Sequence, residues 1–259
     1  MENLDISWQA PVNSALVIID VQKDFCRKGN LEVPQGDEVV PVINNLREHF
    51  ETVVLTQDHH PAGHRSFASS HKGRDAMDRV WMSDGEIVGE IKMSDSQQPL
   101  DGIEHAPVEG AIVQTLWPDH CVQGTEGAEF HDDLVQKGTD LLIRKGEDMN
   151  RDSYSGFFDN GHTASPVFED DGTTLTQKMT DMNKETLVFV GLASDFCVAW
   201  HALDAIKEGF NAVVVYEGTR PIAVPISEKQ TTESLMIEKM EAAGVKIVTV
   251  KDLPRTLEA

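Results

Sequence analysis

The sequence predicts an α/β protein built on a doubly wound, mostly parallel six-stranded sheet flanked by helices. Three observations predict it. Six short apolar runs lack the alternation of a strand with one wet face, so they read as strands buried on both sides. Helical periodicity fills several of the intervals between them. A chain of 259 residues, 40% hydrophobic and 25% charged, is long enough and ordinary enough to bury one large core.

In order, the strands are "SALVIID" (14–20), "TVVLTQD" (52–58), "DLLIRKG" (140–146), "TLVFVGL" (186–192), "NAVVVYEG" (211–218) and "VKIVTVKD" (245–252). Helices are predicted over 36–50, 195–209 and 228–243. Right-handed crossovers place the carboxyl ends of all the strands on one edge, where such sheets bind ligands. A long excursion around 65–118 breaks this rhythm. It reads as an insertion over the active edge, with "GEIVGEIKM" (85–93) as a short hairpin, inside a single domain spanning 1–259.

Charge narrows the function classes. Twenty-two basic against 44 acidic residues leave a net charge of −22, which argues against nucleic acid or an anionic membrane as partner. No window approaches the length of a membrane span, and the N-terminus lacks the basic start of an export signal. Three cysteines, Cys26, Cys121 and Cys197, form no even framework, as expected of a reducing cytoplasm. A homo-oligomer is compatible with all of this.

Reactive side chains stand at the predicted strand ends. Asp20 ends the first, Asp58 the second and Lys145 the third, while Cys197 follows the fourth through the turn "GLASDFC". Ser194 is a candidate N-cap, which makes Cys197 the third helical residue. The helix start and a nearby lysine favour thiolate, a carboxylate can take the proton, and the amides of Ala193 and Cys197 can receive an oxyanion. Alone, Cys197 reads equally as a small buried side chain, Asp20 as a turn cap and Lys145 as a solvated strand-end charge. Their convergence on one edge favours an activated nucleophile.

A second constellation joins "QDHHPAGH" to "LWPDHC". Asp58, His60, His64 and His120 supply one carboxylate and up to three imidazoles, donors that zinc, manganese or iron(II) accept. The HExxH spacing is absent, and loop histidines are often no more than exposed polar groups, the reading given to His59 and His71.

Five segments, "ALVIIDVQKDFC", "TQDHHPAGHRSFASSH", "LWPDHCVQGTEGAEFH", "RKGEDMNRDSYSGFFDN" and "GLASDFCVAWHALDAIKEGFNAVVV", resemble in order the motifs of nicotinamidases, members of the isochorismatase-like cysteine hydrolases. The resemblance runs from about residue 14 to about residue 225. It implies an Asp20–Lys145–Cys197 triad and one divalent metal ion, zinc with manganese or iron as alternatives, held by Asp58, His60 and His120. His64 would be a further direct or water-mediated ligand. It also implies a ring pocket of Phe25 and Trp117 with Tyr154 near its mouth, oxyanion amides at Ala193 and Cys197, and a cis peptide at Leu192–Ala193. The implied activity is hydrolysis of a linear amide C–N bond through a thioester, converting nicotinamide (or pyrazinamide) to the acid and ammonia, in NAD salvage. A related hydrolase with the same triad, acting on an N-carbamoyl amide or on isochorismate, is the alternative.

Overall fold

The computed structural model describes residues 8–91 and 106–258. The chain runs β1 (Ser14–Ile19), α1 (Val39–Leu46), β2 (Val53–Asp58), β3 (Arg79–Ser83), β4 (Glu86–Glu90), β5 (Ile112–Thr115), β6 (Leu141–Lys145), α2 (Leu175–Asp181), β7 (Thr186–Leu192), α3 (Cys197–Lys207), β8 (Asn211–Arg220), α4 (Thr232–Ala243), β9 (Lys246–Val248) and α5 (Leu253–Leu257). Six strands form one sheet in the order β6-β2-β1-β7-β8-β9, and every neighbouring pair is parallel. Every residue of β1 and β2 is buried, so both sheet faces are covered, and the polar half of β2 (Thr56, Gln57 and Asp58) lies at its carboxyl end.

This order decides where chemistry can occur. From β1 the chain steps outward to β2 and β6, then returns to the other side of β1 for β7, β8 and β9. The reversal falls between β1 and β7, and the crevice beyond their carboxyl ends is where open α/β sheets bind ligands. Register brings the ends level: Ile19 lies opposite both Thr56 and Gly191, and Asp58 opposite Lys145.

Helices differ from their sequence expectation mainly at their boundaries. The stretch 36–50 is α1 between two short 3-10 turns, with Val39, Val40, Ile43 and Leu46 on its buried face. The helix expected from 228 starts at Thr232, because Thr231 and Ser234 make a reciprocal capping box there. It ends at Gly244, whose φ of 92° suits a glycine C-cap. Helix α2 was not anticipated, although Thr174 caps it by accepting from the Gln177 N–H, with Leu175 and Met179 one turn apart on its buried side.

The excursion carries its own small antiparallel sheet in the order β4-β3-β5. The expected hairpin is present with a different partner. Segment 85–93 supplies only β4, which pairs with β3 upstream across a turn at Asp84 and Gly85 (φ 48° and 78°). An Asp-Gly pair with both φ positive is a favoured two-residue hairpin turn, so the signal was present in "SDGE". Residues 92 and 93 of that segment lie outside the described residues.

Candidate active site

The strand ends converge on one buried cluster. Asp20, the residue after β1, is fully buried with φ at 48°. Thr56 Oγ1 donates to its Oδ1 at 2.6 Å, and Lys145 Nζ stands 2.9 Å from its Oδ2. The same ammonium reaches Asp58 Oδ1 at 2.8 Å, the Ser153 carbonyl at 3.0 Å and Cys197 Sγ at 3.4 Å. A carboxylate, an ammonium and a thiol from three strand ends thus lie in contact, and the bland readings of Asp20 and Lys145 do not describe them.

Their protonation follows from burial against charge. Burial opposes the charge on Lys145, but Asp20 and Asp58 hold its pKa well above the usual value. Burial raises the pKa of Asp20, and Asp58 adds to this against the pull of Lys145. The Cys197 thiol is also pushed well up, by burial first and then by Asp20 and Asp58, which together outweigh Lys145. This corrects the expectation that helix start and lysine lower it. Asp20, whose own pKa is raised, is the carboxylate disposed to accept the Cys197 proton.

The turn before Cys197 also differs from expectation. Phe196, not Ser194, is the N-cap, and Cys197 is the first residue of α3. Ser194 N–H is bound to the Arg220 carbonyl at 2.8 Å, while Phe196 and Val198 N–H both turn back to the Ala193 carbonyl at 3.1 Å. Leu192–Ala193 is cis. Gly191 permits the approach to β1: it has φ 115°, and a Cβ there would lie 2.0 Å from the Ile19 carbonyl oxygen. Asp195, buried in the same turn, accepts from the N–H groups of Ile222 and Ala223 at 2.9 and 2.8 Å and from the Thr232 hydroxyl. It ties the thiol-bearing turn to α4.

Beside this triad, Asp58, His60 and His120 are all buried with their ligand atoms mutually within 4.8 Å. His60 Nδ1 faces the Gly146 carbonyl and His120 Nδ1 the Pro118 carbonyl, both at 2.8 Å. Each Nδ1 is therefore the donor nitrogen, which leaves both Nε2 lone pairs turned toward Asp58 Oδ2, at 3.4 and 3.5 Å. Ligands about 2 Å from a tetrahedral ion stand about 3.3 Å apart. Among the described residues, His60 Nε2 is buried without a hydrogen-bond partner. The donor set, its spacing and this orphaned nitrogen fit a divalent cation. Gly146 makes the arrangement possible, since a Cβ there would meet His60 Cε1 at 2.4 Å.

His64 is not brought into that set. Its Nδ1 is engaged by Ser66 Oγ at 2.7 Å and Ser66 N–H at 3.1 Å, and its Nε2 donates to the Asp148 carbonyl at 2.7 Å. It packs against His60 with ring centroids 4.5 Å apart and so backs the site without a free nitrogen to offer as a direct ligand. His59 and His71 lie elsewhere, on Glu147 and on the Arg65 carbonyl.

The three expected ring-pocket residues are assembled differently. Trp117 and Tyr154 meet edge-on at 6.3 Å, and Phe25 lies 5.4 Å from the His120 ring. Tyr154 is buried, with its hydroxyl accepting from Trp117 Nε1 at 3.2 Å and Gln114 Nε2 at 3.3 Å, so it is not an exposed rim residue.

Sequence reasoning passed over four residues here. Phe196 completes the aromatic wall, 4.9 Å from Trp117 and 5.7 Å from Tyr154. Phe67 packs edge-on against His60, His64 and His120. Gln22 clamps the Asp58 backbone, accepting from its N–H and donating to its carbonyl, both at 2.8 Å. Asp24 accepts from the Cys121 N–H at 2.7 Å and so fixes the segment carrying His120. Gln22 and Asp24 stand in "DVQKDF", where polar residues buried directly after an apolar strand were the available signal.

Comparison with known proteins agrees with this geometry. The isochorismatase domain family matches residues 14–252. A nicotinamidase of Escherichia coli (strain K12) is 37% identical over 246 residues, 93% of this chain and 97% of that protein. The solved nicotinamidase/pyrazinamidase of Acinetobacter baumanii superposes with a TM-score of 0.76 at 37% identity, covering 94% of this chain and 99% of that one. The pyrazinamidase of Pyrococcus horikoshii, solved in complex with zinc, gives 0.62 at 26% identity, covering 92% and 99%. With a family match across nearly its whole length and relatives of one activity matched almost end to end, the chain belongs to the isochorismatase family and, within it, to the nicotinamidases, hydrolases of an amide bond.

Proposed function

We propose that this chain converts nicotinamide to nicotinate and ammonia through a Cys197 thioester, with a divalent ion held by Asp58, His60 and His120. Pyrazinamide, which differs by one ring nitrogen, is expected to be cleaved as well. The observation that carries the reading is Lys145 Nζ lying 2.9 Å from Asp20 and 3.4 Å from Cys197 at the reversal of strand order. A carboxylate, an ammonium and a thiol in contact support the roles of base, charge balancer and nucleophile.

Asp20, with its raised pKa, takes the Sγ proton as the sulfur attacks the carboxamide carbon. The C–S bond forms while the carbonyl pair moves onto oxygen, for which the N–H groups of Ala193 and Cys197 are the proposed donors. Asp20 returns its proton to nitrogen, the C–N bond breaks, and ammonia leaves. Asp20 then takes a proton from an incoming water, whose oxygen adds to the thioester; as the C–S bond breaks, Asp20 returns that proton to Sγ, and the acid leaves and ionises to nicotinate. Lys145 keeps the cluster near neutrality throughout. Phe25, Trp117, Tyr154 and Phe196 exclude water and hold the ring flat over Cys197.

A divalent ion, when bound, supplies Lewis acidity suited to the pyridine nitrogen and offsets the Asp58 charge that helps raise Asp20 and Cys197. The zinc in the Pyrococcus horikoshii relative makes zinc the first candidate, and the carboxylate–imidazole donors also suit manganese or iron(II).

The test is ammonia release from nicotinamide before and after chelation, with metal content measured in parallel. Activity should fall on chelation and return with zinc, and His60→Ala should lose metal and activity together. Full activity without metal would remove the ion from the mechanism. An absence of ammonia from nicotinamide, with turnover of an N-carbamoyl amide, would overturn the substrate assignment.

A further inference from the structure

We infer that Cys26, Asp37 and His131 form a second divalent-cation site, separate from the Asp58–His60–His120 cluster and suited to a borderline-soft ion such as zinc. Cys26 and the nearby Asp37 meet His131 from a distant segment, and the three ligand atoms lie mutually within 4.8 Å. His131 Nε2 is 3.2 Å from Asp37 Oδ1. One thiol, one carboxylate and one imidazole, with a position open to water, is a zinc donor set. A sulfur ligand also selects against magnesium and calcium, which prefer all-oxygen sites.

The local backbone holds each ligand in place. Cys26 N–H is bound to the Lys23 carbonyl at 3.1 Å at the end of a 3-10 turn. Asp37 sits in the turn before α1, with Oδ2 accepting from the Arg27 N–H at 3.2 Å. The His131 N–H is bound to the Val21 carbonyl at 2.9 Å. Cys26 itself is 2% exposed, yet a surface cleft past Gly29 and Gly127 is lined by all three residues, so an ion has a path from solvent. A second cleft, past Asn44 and Asp133, reaches Asp37 and His131.

Electrostatics points the same way. Burial first, and then Asp37 and Glu32, push the Cys26 thiol up to about 12, and a bound dication would offset the share that the two carboxylates contribute. Nothing in the amide hydrolysis uses these three residues. Binding releases the Cys26 proton to water and moves the imidazole proton from Nε2 to Nδ1. That move gives up the Asp133 N–H contact to Nδ1, 3.1 Å long and at an exposed turn.

Cobalt(II) tests the assignment, because a thiolate ligand gives a sulfur-to-cobalt charge-transfer band in the near ultraviolet and an Asp/His/His site does not. The full-length chain carrying Cys197→Ser, which removes the thiol beside Asp58, is stripped of metal and titrated with cobalt(II). Two equivalents should bind, one of them with the band. Adding Cys26→Ser should abolish the band and one equivalent, while His60→Ala should remove only the other equivalent and so tests the catalytic cluster separately. A single bandless equivalent, or a band that survives Cys26→Ser, would overturn the inference. If Cys26→Ser does not fold, Asp37→Asn with His131→Gln, at partly exposed positions, replaces it: loss of the banded equivalent supports the site and its retention refutes it.

Discussion

His201 offers the sharpest quantitative check, because a buried imidazole behind the nucleophile sets how the fold responds to acid. Its Nε2 accepts from the Gly156 N–H at 2.7 Å, so its Nδ1 is the donor, to the Cys197 carbonyl at 2.7 Å. The bond accepted by Nε2 requires neutral imidazole, since a protonated ring has no acceptor nitrogen. Burial, then the Lys145 charge, depresses its pKa from 6.5 to about 3. The sign follows: above pH 6.5 the group is neutral in both folded and unfolded chains and is no burden. Below it the unfolded chain gains a proton that the native chain refuses, and this share of stability is lost progressively until the folded value is reached. At about 1.4 kcal/mol per unit, the full shift is about 5 kcal/mol. At about pH 4.5 the unfolded imidazole is protonated about a hundredfold over neutral while the native one is scarcely protonated, so about 3 kcal/mol is lost. Urea unfolding of the intact chain and of His201→Gln, at about pH 7.5 and pH 4.5, isolates the effect. Glutamine keeps an acceptor for Gly156 and cannot titrate. The variant should therefore lose less stability on acidification, by about 3 kcal/mol. Equal losses in the two proteins would refute the argument.

Three further outcomes are expected. Cys197→Ala should lower ammonia release from nicotinamide at least about ten-thousandfold, with bound metal and the unfolding midpoint nearly unchanged; residual turnover within about tenfold would exclude the thioester route. Alkylation of Cys197 in chelated protein should be slow at mildly acidic pH and rise only in alkali, since the raised pKa leaves a thiol there, and restoring the metal should speed it; fast alkylation of the metal-free protein at about pH 6 would contradict the charge balance. Gly191→Ala should destabilise the chain by roughly 3 kcal/mol or more, because its Cβ meets the Ile19 carbonyl, and denaturant titration reads this directly.

Much of the catalytic edge was legible because it depends on periodicity and on topology rules. A strand buried on both faces must be apolar throughout, so Asp20, Asp58 and Lys145 stood out where "VII", "VVLTQ" and "LLIR" give way. Parallel pairing then obliges those ends to meet. The helix starts were less legible. Ser194 has a good capping side chain, but its N–H is committed to Arg220 on β8, a contact between residues 26 apart in sequence. Tyr154 likewise looked like a rim residue until Trp117 and Gln114 were found to share its hydroxyl.

The sequence by itself determined the six strands, the edge on which their polar ends gather, and the residue types available there, because backbone preference and side-chain burial are written locally as apolar period and turn chemistry. Only the tertiary structure decided that His60 and His120 present free nitrogens while His64 does not, that burial and two carboxylates raise the Cys197 thiol, and that Cys26 meets Asp37 and His131. Ring tautomers and acid strengths are set by whichever carbonyl, carboxylate or ammonium packs within a few ångströms. At this site those neighbours mostly come from distant segments of the chain.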